Sequence, residues 1–224
     1  SITGEALRKH AKKGFKILDI GCGTMMETRQ LAGDCFVTGI DASTLMLDQA
    51  KSFIDPSNLD RVEFLKVGAE LKQDIGKFDI IFSSFGYLES SSLEQFLSYA
   101  ESHLSEEGKI IFTLWNRLGL MDILLSIATL KIGYLGRKLV SSGDITIGRY
   151  PLPVHPRLPR NTSKRNLRLK ELSGICVILP PYNYTRLGCV LLKHGILARL
   201  DRILSRVPLF RYLGDFSLLV MARR

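Results

Sequence analysis

The residues with the clearest chemical meaning lie in 18–28, LDIGCGTMMET, where an apolar run ends in a tight glycine turn. Gly21 and Gly23 let the backbone approach a ligand, and a helix starting behind them would offer unpaired N–H groups to a carboxylate or phosphate. A dinucleotide loop needs a further glycine at position 26; Met26 stands there, so NAD and FAD fit poorly. Asp19 is the sharper signal. A carboxylate beside the glycines repels a pyrophosphate and suits an ammonium or sulfonium charge. Asp41, at the end of the next apolar run, is placed to accept hydrogen bonds from two ribose hydroxyls. Together these residues describe a cationic amino-acid nucleoside, S-adenosylmethionine.

Such a ligand needs strand ends lying side by side. Strand-like runs occur at 15–20 (FKILDI), 35–40 (CFVTGI), 62–66, 78–83 and 108–114 (GKIIFTL), with helical stretches through Leu31, over 43–53 capped by Ser43, and over 93–104. Alternation at this spacing implies right-handed crossovers and a parallel sheet covered on both faces, with ligands at the carboxyl ends of the strands. Residues 118–140 are apolar but interrupted by charge, and no uncharged run reaches membrane-span length. RYPLPVHPRLPRN (149–161), with four prolines, reads as an extended arm. One or two strands are expected in 167–179, a basic amphipathic helix over 187–207 and a closing strand over 216–222. The opening segment SITGEALRKHAKKG is polar and basic, without the apolar core of a signal peptide. The four cysteines, Cys22, Cys35, Cys176 and Cys189, show no pairing pattern, which favours reduced thiols and a cytoplasmic location.

The run LDIGCGT…VTGIDASTLMLDQAK resembles the class I S-adenosylmethionine-dependent methyltransferases, whose first motif is [DE]xGxGxG and whose second strand ends in an acid. VEFLKVGAE, FDIIFSSFGYLES and LSEEGKIIFTLWNR agree, so the resemblance covers about 15–116, and FSLLVMARR is similar to the family's last strand. It implies an α/β fold: a doubly wound, mostly parallel seven-stranded sheet with a final antiparallel strand. The cofactor-binding core would be 1–116, a substrate-recognition or lid insertion 117–214, and the last strand 215–224. By position, Asp19 would bind the methionine ammonium, and Gly21, Cys22 and Gly23 would run beneath the methionyl and ribose groups. Asp41 would take the ribose hydroxyls, and Ala42 and Met46 would border the adenine. Ala69 and Glu70 stand where the family often carries an Asp, and Ser84 and Phe85 would face the methyl group. Met25 occupies the third glycine of the motif, so a working site with an altered pocket wall is expected.

Acid–base candidates are sparser. Tyr87, Asn116 and His155 are the catalytic candidates, with Arg117 a substrate contact; His103 and His194 read as surface residues. SSFGY replaces the NPPY-type signature of amino-methylating nucleic-acid enzymes, and no metal-ligand spacing is present. Residues 1–116 hold 12 Lys+Arg against 17 Asp+Glu, net −5, and the rest of the chain holds 19 against 5, net +14. The basic half therefore suits a small-molecule or lipid-like acidic substrate. A peripheral membrane contact through 187–207 is second, and RNA third, because aromatics make up only 8% of the chain. A non-catalytic binding protein with this fold is the remaining alternative.

Overall fold

The structure, a computed structural model, describes residues 1–68, 70–85, 88, 93–116, 119–133, 135–136, 144–147, 150–153, 165–180 and 195–224. Its strands are β1 (Lys16–Ile20), β2 (Phe36–Asp41), β3 (Val62–Lys66), β4 (Phe78–Ser83), β5 (Leu104–Trp115), β6 (Asp144–Ile147), β7 (Tyr150–Pro153), β8 (Leu167–Ile175) and β9 (Phe216–Arg223). Its α-helices are α1 (Ile2–His10), α2 (Thr44–Ser52), α3 (Leu93–His103), α4 (Leu120–Ala128) and α5 (Gly195–Leu204). Seven strands form one mostly parallel sheet with a final antiparallel strand, in the order β3-β2-β1-β4-β5-β9-β8, and β6 pairs with β7 in a separate ribbon. The chain divides into two compact units, Ser1–Phe112 with Asn161–Lys170 and Val220–Arg224, and Thr113–Arg160 with Glu171–Leu219.

In the first unit the central strands are apolar on both faces, as a covered parallel sheet requires. Ile17, Leu18 and Ile20 of β1, Ile80 and Ile81 of β4, and Ile110, Ile111 and Phe112 of β5 are fully buried. Phe96 of α3 closes on Phe112 with ring centroids 5.3 Å apart. The strand order runs outward from β1 through β2 to β3, then restarts at β4 on the other side of β1. A crevice is therefore forced at the carboxyl ends of β1 and β4.

Several boundaries differ from the sequence reading. No α-helix follows the glycine turn; a short 3₁₀ turn, Thr28–Leu31, takes its place. Helix α1, unforeseen in the polar opening segment, is capped by Ser1, whose hydroxyl accepts the Gly4 N–H at 3.0 Å. Strand β5 begins four residues early, because Leu104 pairs with Phe78 ahead of a register shift. His103 is buried rather than on the surface, its Nε2 3.3 Å from Asp74. Ser43 caps α2 as expected, accepting the Met46 N–H at 3.4 Å.

In the second unit Asp201 of α5 accepts the N–H groups of Ile178 and Leu179 at 2.8 and 3.3 Å and is itself buried. Asp201→Ala would strand both amides without an acceptor. Urea denaturation should show a loss of roughly 2–4 kcal/mol; an unchanged midpoint would mean that the chain end of β8 is held by other contacts.

Candidate active site

Asp19 sits in register with Gly39 of β2 and Phe82 of β4. Its carboxylate is almost fully buried, and its Oδ2 accepts the Thr28 hydroxyl at 2.5 Å. Burial pushes its pKa up to about 7; the Thr28 hydroxyl works against that shift, and the charges of Asp41 and Glu27 add to it.

Beyond β1 the chain turns through left-handed backbone at Gly21 (φ +68°), Gly23 (+49°) and Met25 (+53°). The turn is fastened to the end of β2. Gly21 and Cys22 donate their N–H groups to the Ile40 carbonyl at 2.9 and 3.0 Å. Gly23 donates to Asp41 Oδ2 at 3.0 Å, and Ser43 donates to Asp41 Oδ1 at 2.9 Å. The Ser83 hydroxyl donates to the Ile20 carbonyl at 2.9 Å, tying β4 to β1.

A cleft of about 300 Å³ opens here, within the first unit. Asp19, Gly21, Cys22, Gly23, Met46, Ser84 and Phe85, all singled out from the sequence, line it. Thr24, Met26, Glu27 and Phe82 line it too and were missed. Phe82 is the last apolar residue before Ser83 on a strand known to end at the crevice, which is the signal that could have found it. Glu27 accepts the Ser1 and Thr3 hydroxyls at 2.6 and 3.0 Å, so the rim is pinned to the start of α1. Phe85 holds a left-handed φ of +42°, a strained conformation of the kind that collects at functional sites.

Other sequence candidates lie elsewhere. Ala42 is exposed at the β2–α2 junction, and Glu70 is exposed beyond β3. The Asn116 side-chain amide donates to the carbonyls of Tyr212 and Gly214 at 2.6 and 2.9 Å, fixing the exit of β5 within the second unit. Ala69, Tyr87, Arg117, His155 and His194 lie outside the described residues. Burial pushes the Cys22 thiol well above its ordinary range, which disfavours the reactive thiolate. Among the described residues no group of three or more His, Cys, Asp or Glu could hold a metal ion.

Residues 17–108 match a family model described as a methyltransferase domain. A tRNA U34 carboxymethyltransferase of Pseudoalteromonas translucida is 31% identical over 101 residues, 44% of this chain and 31% of that protein. The chain thus spans about a third of the length of that curated relative. In fold it is similar to an S-adenosylmethionine-dependent methyltransferase of Thiobacillus denitrificans in complex with S-adenosyl-L-homocysteine. That likeness has TM-score 0.54 and 16% identity, over 100% of this chain and 90% of the other. A Mesorhizobium loti S-adenosylmethionine-dependent methyltransferase gives TM-score 0.56 and 17% identity, over 98% and 96%.

Residues 17–108 are a class I methyltransferase domain.

The methyltransferase loop departs from its family pattern at Met25, and the structure shows how. The left-handed backbone at this position is what glycine adopts freely; a methionine there costs roughly 1–2 kcal/mol. Its side chain does not reach the cleft, so the expected altered pocket wall is not found. Met25 is fully buried beneath the loop, while exposed Met26 faces the cleft instead. Room for it comes from Gly39: a Cβ there would lie 2.9 Å from Met25 Sδ and 3.1 Å from Cys22 Sγ. Full burial of a methionine stabilises by about 1.5–3 kcal/mol, which offsets the backbone strain.

Two outcomes follow for this domain. Met25→Ala should cost about 2–4 kcal/mol through the cavity it leaves. Gly39→Ala should cost about 1–3 kcal/mol through crowding. The double variant should cost less than their sum, since the new methyl fills part of the hole; additive values in urea titrations would show that the two sites do not share a space.

The raised acid Asp19 also makes stability depend on pH. Its folded pKa of about 7 exceeds the ordinary 3.8, so the folded state holds its proton more tightly than the unfolded chain. That contribution is complete below about pH 4 and is lost as pH rises through 7. Thermal melts of Asp19→Asn should show a flatter profile than wild type between these limits, and parallel profiles would remove the effect.

Proposed function

We propose that the chain is an S-adenosylmethionine-dependent methyltransferase acting on a small-molecule or lipid-like acidic substrate. The carrying observation is the buried Asp19 carboxylate lining a cleft beside Gly21 and Gly23. A carboxylate held in a low-dielectric wall, at a cost expressed in its raised pKa, is stabilised by a cation and by little else. The space above Gly23 is open: a Cβ there would meet nothing within 4 Å. The residues present therefore fit the family's donor. Asp19 would hold its ammonium, the Gly21–Gly23 backbone would run beneath it, and Met46, Ser84 and Phe85 would border it.

When bound, the donor supplies an electrophilic methyl on its sulfonium. The chain's part is to orient, since in-line displacement gains most from positioning of the acceptor. Phe82, Phe85 and Met26 supply the apolar side of the cleft against which the reacting end would lie. Asp41 keeps further lone pairs on both oxygens for ribose hydroxyls while holding Gly23 and Ser43. Support for an acidic acceptor is the net +14 of residues 117–224. One observation favours a second reading, RNA as acceptor: the 101-residue similarity to a tRNA-modifying enzyme.

Calorimetry with S-adenosylhomocysteine and S-adenosylmethionine tests the donor site. Asp19→Asn should weaken both by at least about tenfold, roughly 1.4 kcal/mol. Wild-type affinity should fall as pH drops below 7, approaching about tenfold per unit, because a proton on Asp19 competes with the cation. Equal affinities for wild type and variant, flat across pH 5–7, would remove Asp19 from the site. Incubation of extract with methyl-labelled donor then separates the acceptors. Label in extractable acidic small molecules supports the reading, and label in RNA supports the second. A chain that binds the donor yet labels nothing is the non-catalytic binding protein.

A further inference from the structure

Helix α5 keeps polar groups inside, beside half-buried Leu197 and Leu204, and an apolar stripe outside. Asp201 and Ser205, 3% and 0% exposed, face inward, where Asp201 accepts the Ile178 and Leu179 N–H groups and the Ser205 carbonyl accepts that of Gly174. Ile196, Leu200 and Ile203 face outward at 71%, 44% and 62% exposure. A surface helix of a globular domain ordinarily puts its apolar residues inward, and an outward apolar stripe marks a face made to be covered.

Charge decides what covers it. Arg199 and Arg202 are exposed on the same helix and Arg206 is exposed just past its end, in a half of the chain with net charge +14. A second copy seated over this stripe by two-fold symmetry would bring two arginine clusters into one interface, where their charges repel. An anionic surface meets both features. We propose that this unit docks on an anionic lipid bilayer, with the α5 stripe entering the boundary between headgroups and acyl chains and the arginines lying on the headgroups. No helix among the described residues is long and apolar enough to cross a membrane, so the contact is interfacial. The inference is independent of the acceptor proposed above.

Vesicle flotation of the full chain tests it, using phosphatidylcholine alone and phosphatidylcholine mixed with phosphatidylglycerol, at low and high salt. The chain should float with the mixed vesicles, at least about tenfold more strongly than with neutral ones, and less so in high salt. Ile196→Asp with Ile203→Asp should lower partition about tenfold or more at both salt concentrations. Arg199→Gln, Arg202→Gln and Arg206→Gln together should abolish the anionic preference and its salt dependence. Melting temperature and S-adenosylhomocysteine affinity report whether each variant is folded, with Ile196→Ser and Ile203→Ser as the milder pair. Wild type that fails to float in low salt overturns the proposal, as do folded stripe variants that float like wild type. Self-association in sedimentation velocity, lost in Ile196→Asp and unaccompanied by flotation, assigns the stripe to a second copy instead.

Discussion

Asp41 holds the Gly23 N–H on one carboxylate oxygen and the Ser43 N–H on the other, and the carboxyl edge of the sheet is arranged around that pair. Hydrogen bonds from amides to an ionised acceptor are worth about 1.5–3 kcal/mol each, more than neutral ones. They fix the glycine turn and the start of α2 to a single point at the end of β2. With Gly21 and Cys22 also bound to the Ile40 carbonyl, the turn has no freedom to relax toward right-handed backbone. The positive φ angles at 21, 23 and 25 are the consequence. Two are met by glycine; the third is imposed on a methionine, which tolerates it because Gly39 leaves space below.

The same arrangement keeps Asp19 in place at some cost. A carboxylate with its neighbours' negative charges nearby and little water is a poor fit for a free protein. Thr28 supplies one hydrogen bond, enough to orient the side chain and too little to restore its ordinary acidity. A site of this kind is unbalanced until a cation enters. On the proposed function, that imbalance would favour a positively charged ligand over a pyrophosphate, whose charge would add to the repulsion.

Much of the first unit is legible in the sequence because its strands are short, apolar and followed by turn residues. β3 and β4 fall at the positions the pattern gives. The cleft lining includes seven residues singled out in the sequence, Asp19, Gly21 and Gly23 from their types and spacing and Cys22, Met46, Ser84 and Phe85 from the family resemblance. The misses have physical causes. The segment after Gly23 reads as helical because TRQLAG carries no breaker until Gly33, yet anchoring of the turn leaves only one 3₁₀ turn. The partner of Met25 is non-local: Gly39 is ordinary in CFVTGI until β1 and β2 are aligned, although a glycine inside a strand is a signal of close approach. Asn116 has the position of a substrate contact, and only the folded chain shows its amide hydrogens already spent on Tyr212 and Gly214.

The second unit marks a limit of periodicity itself. A moment says that a helix has two unlike faces; it does not say which one points inward. For α5 the inward face is selected by directional bonds. Asp201 satisfies two amides that follow β8, and turning the helix over to bury Ile196 and Ile203 would leave those amides and the carboxylate stranded. Burying three aliphatic side chains gains several kcal/mol at about 1.5–3 kcal/mol each, while stranding two amides and an acid costs a comparable amount. Polar satisfaction can therefore win locally and leave an apolar stripe outside. Such a stripe is stable in a folded chain only at the expense of ordered water around it, and any apolar phase that removes that water gains what the fold gave up.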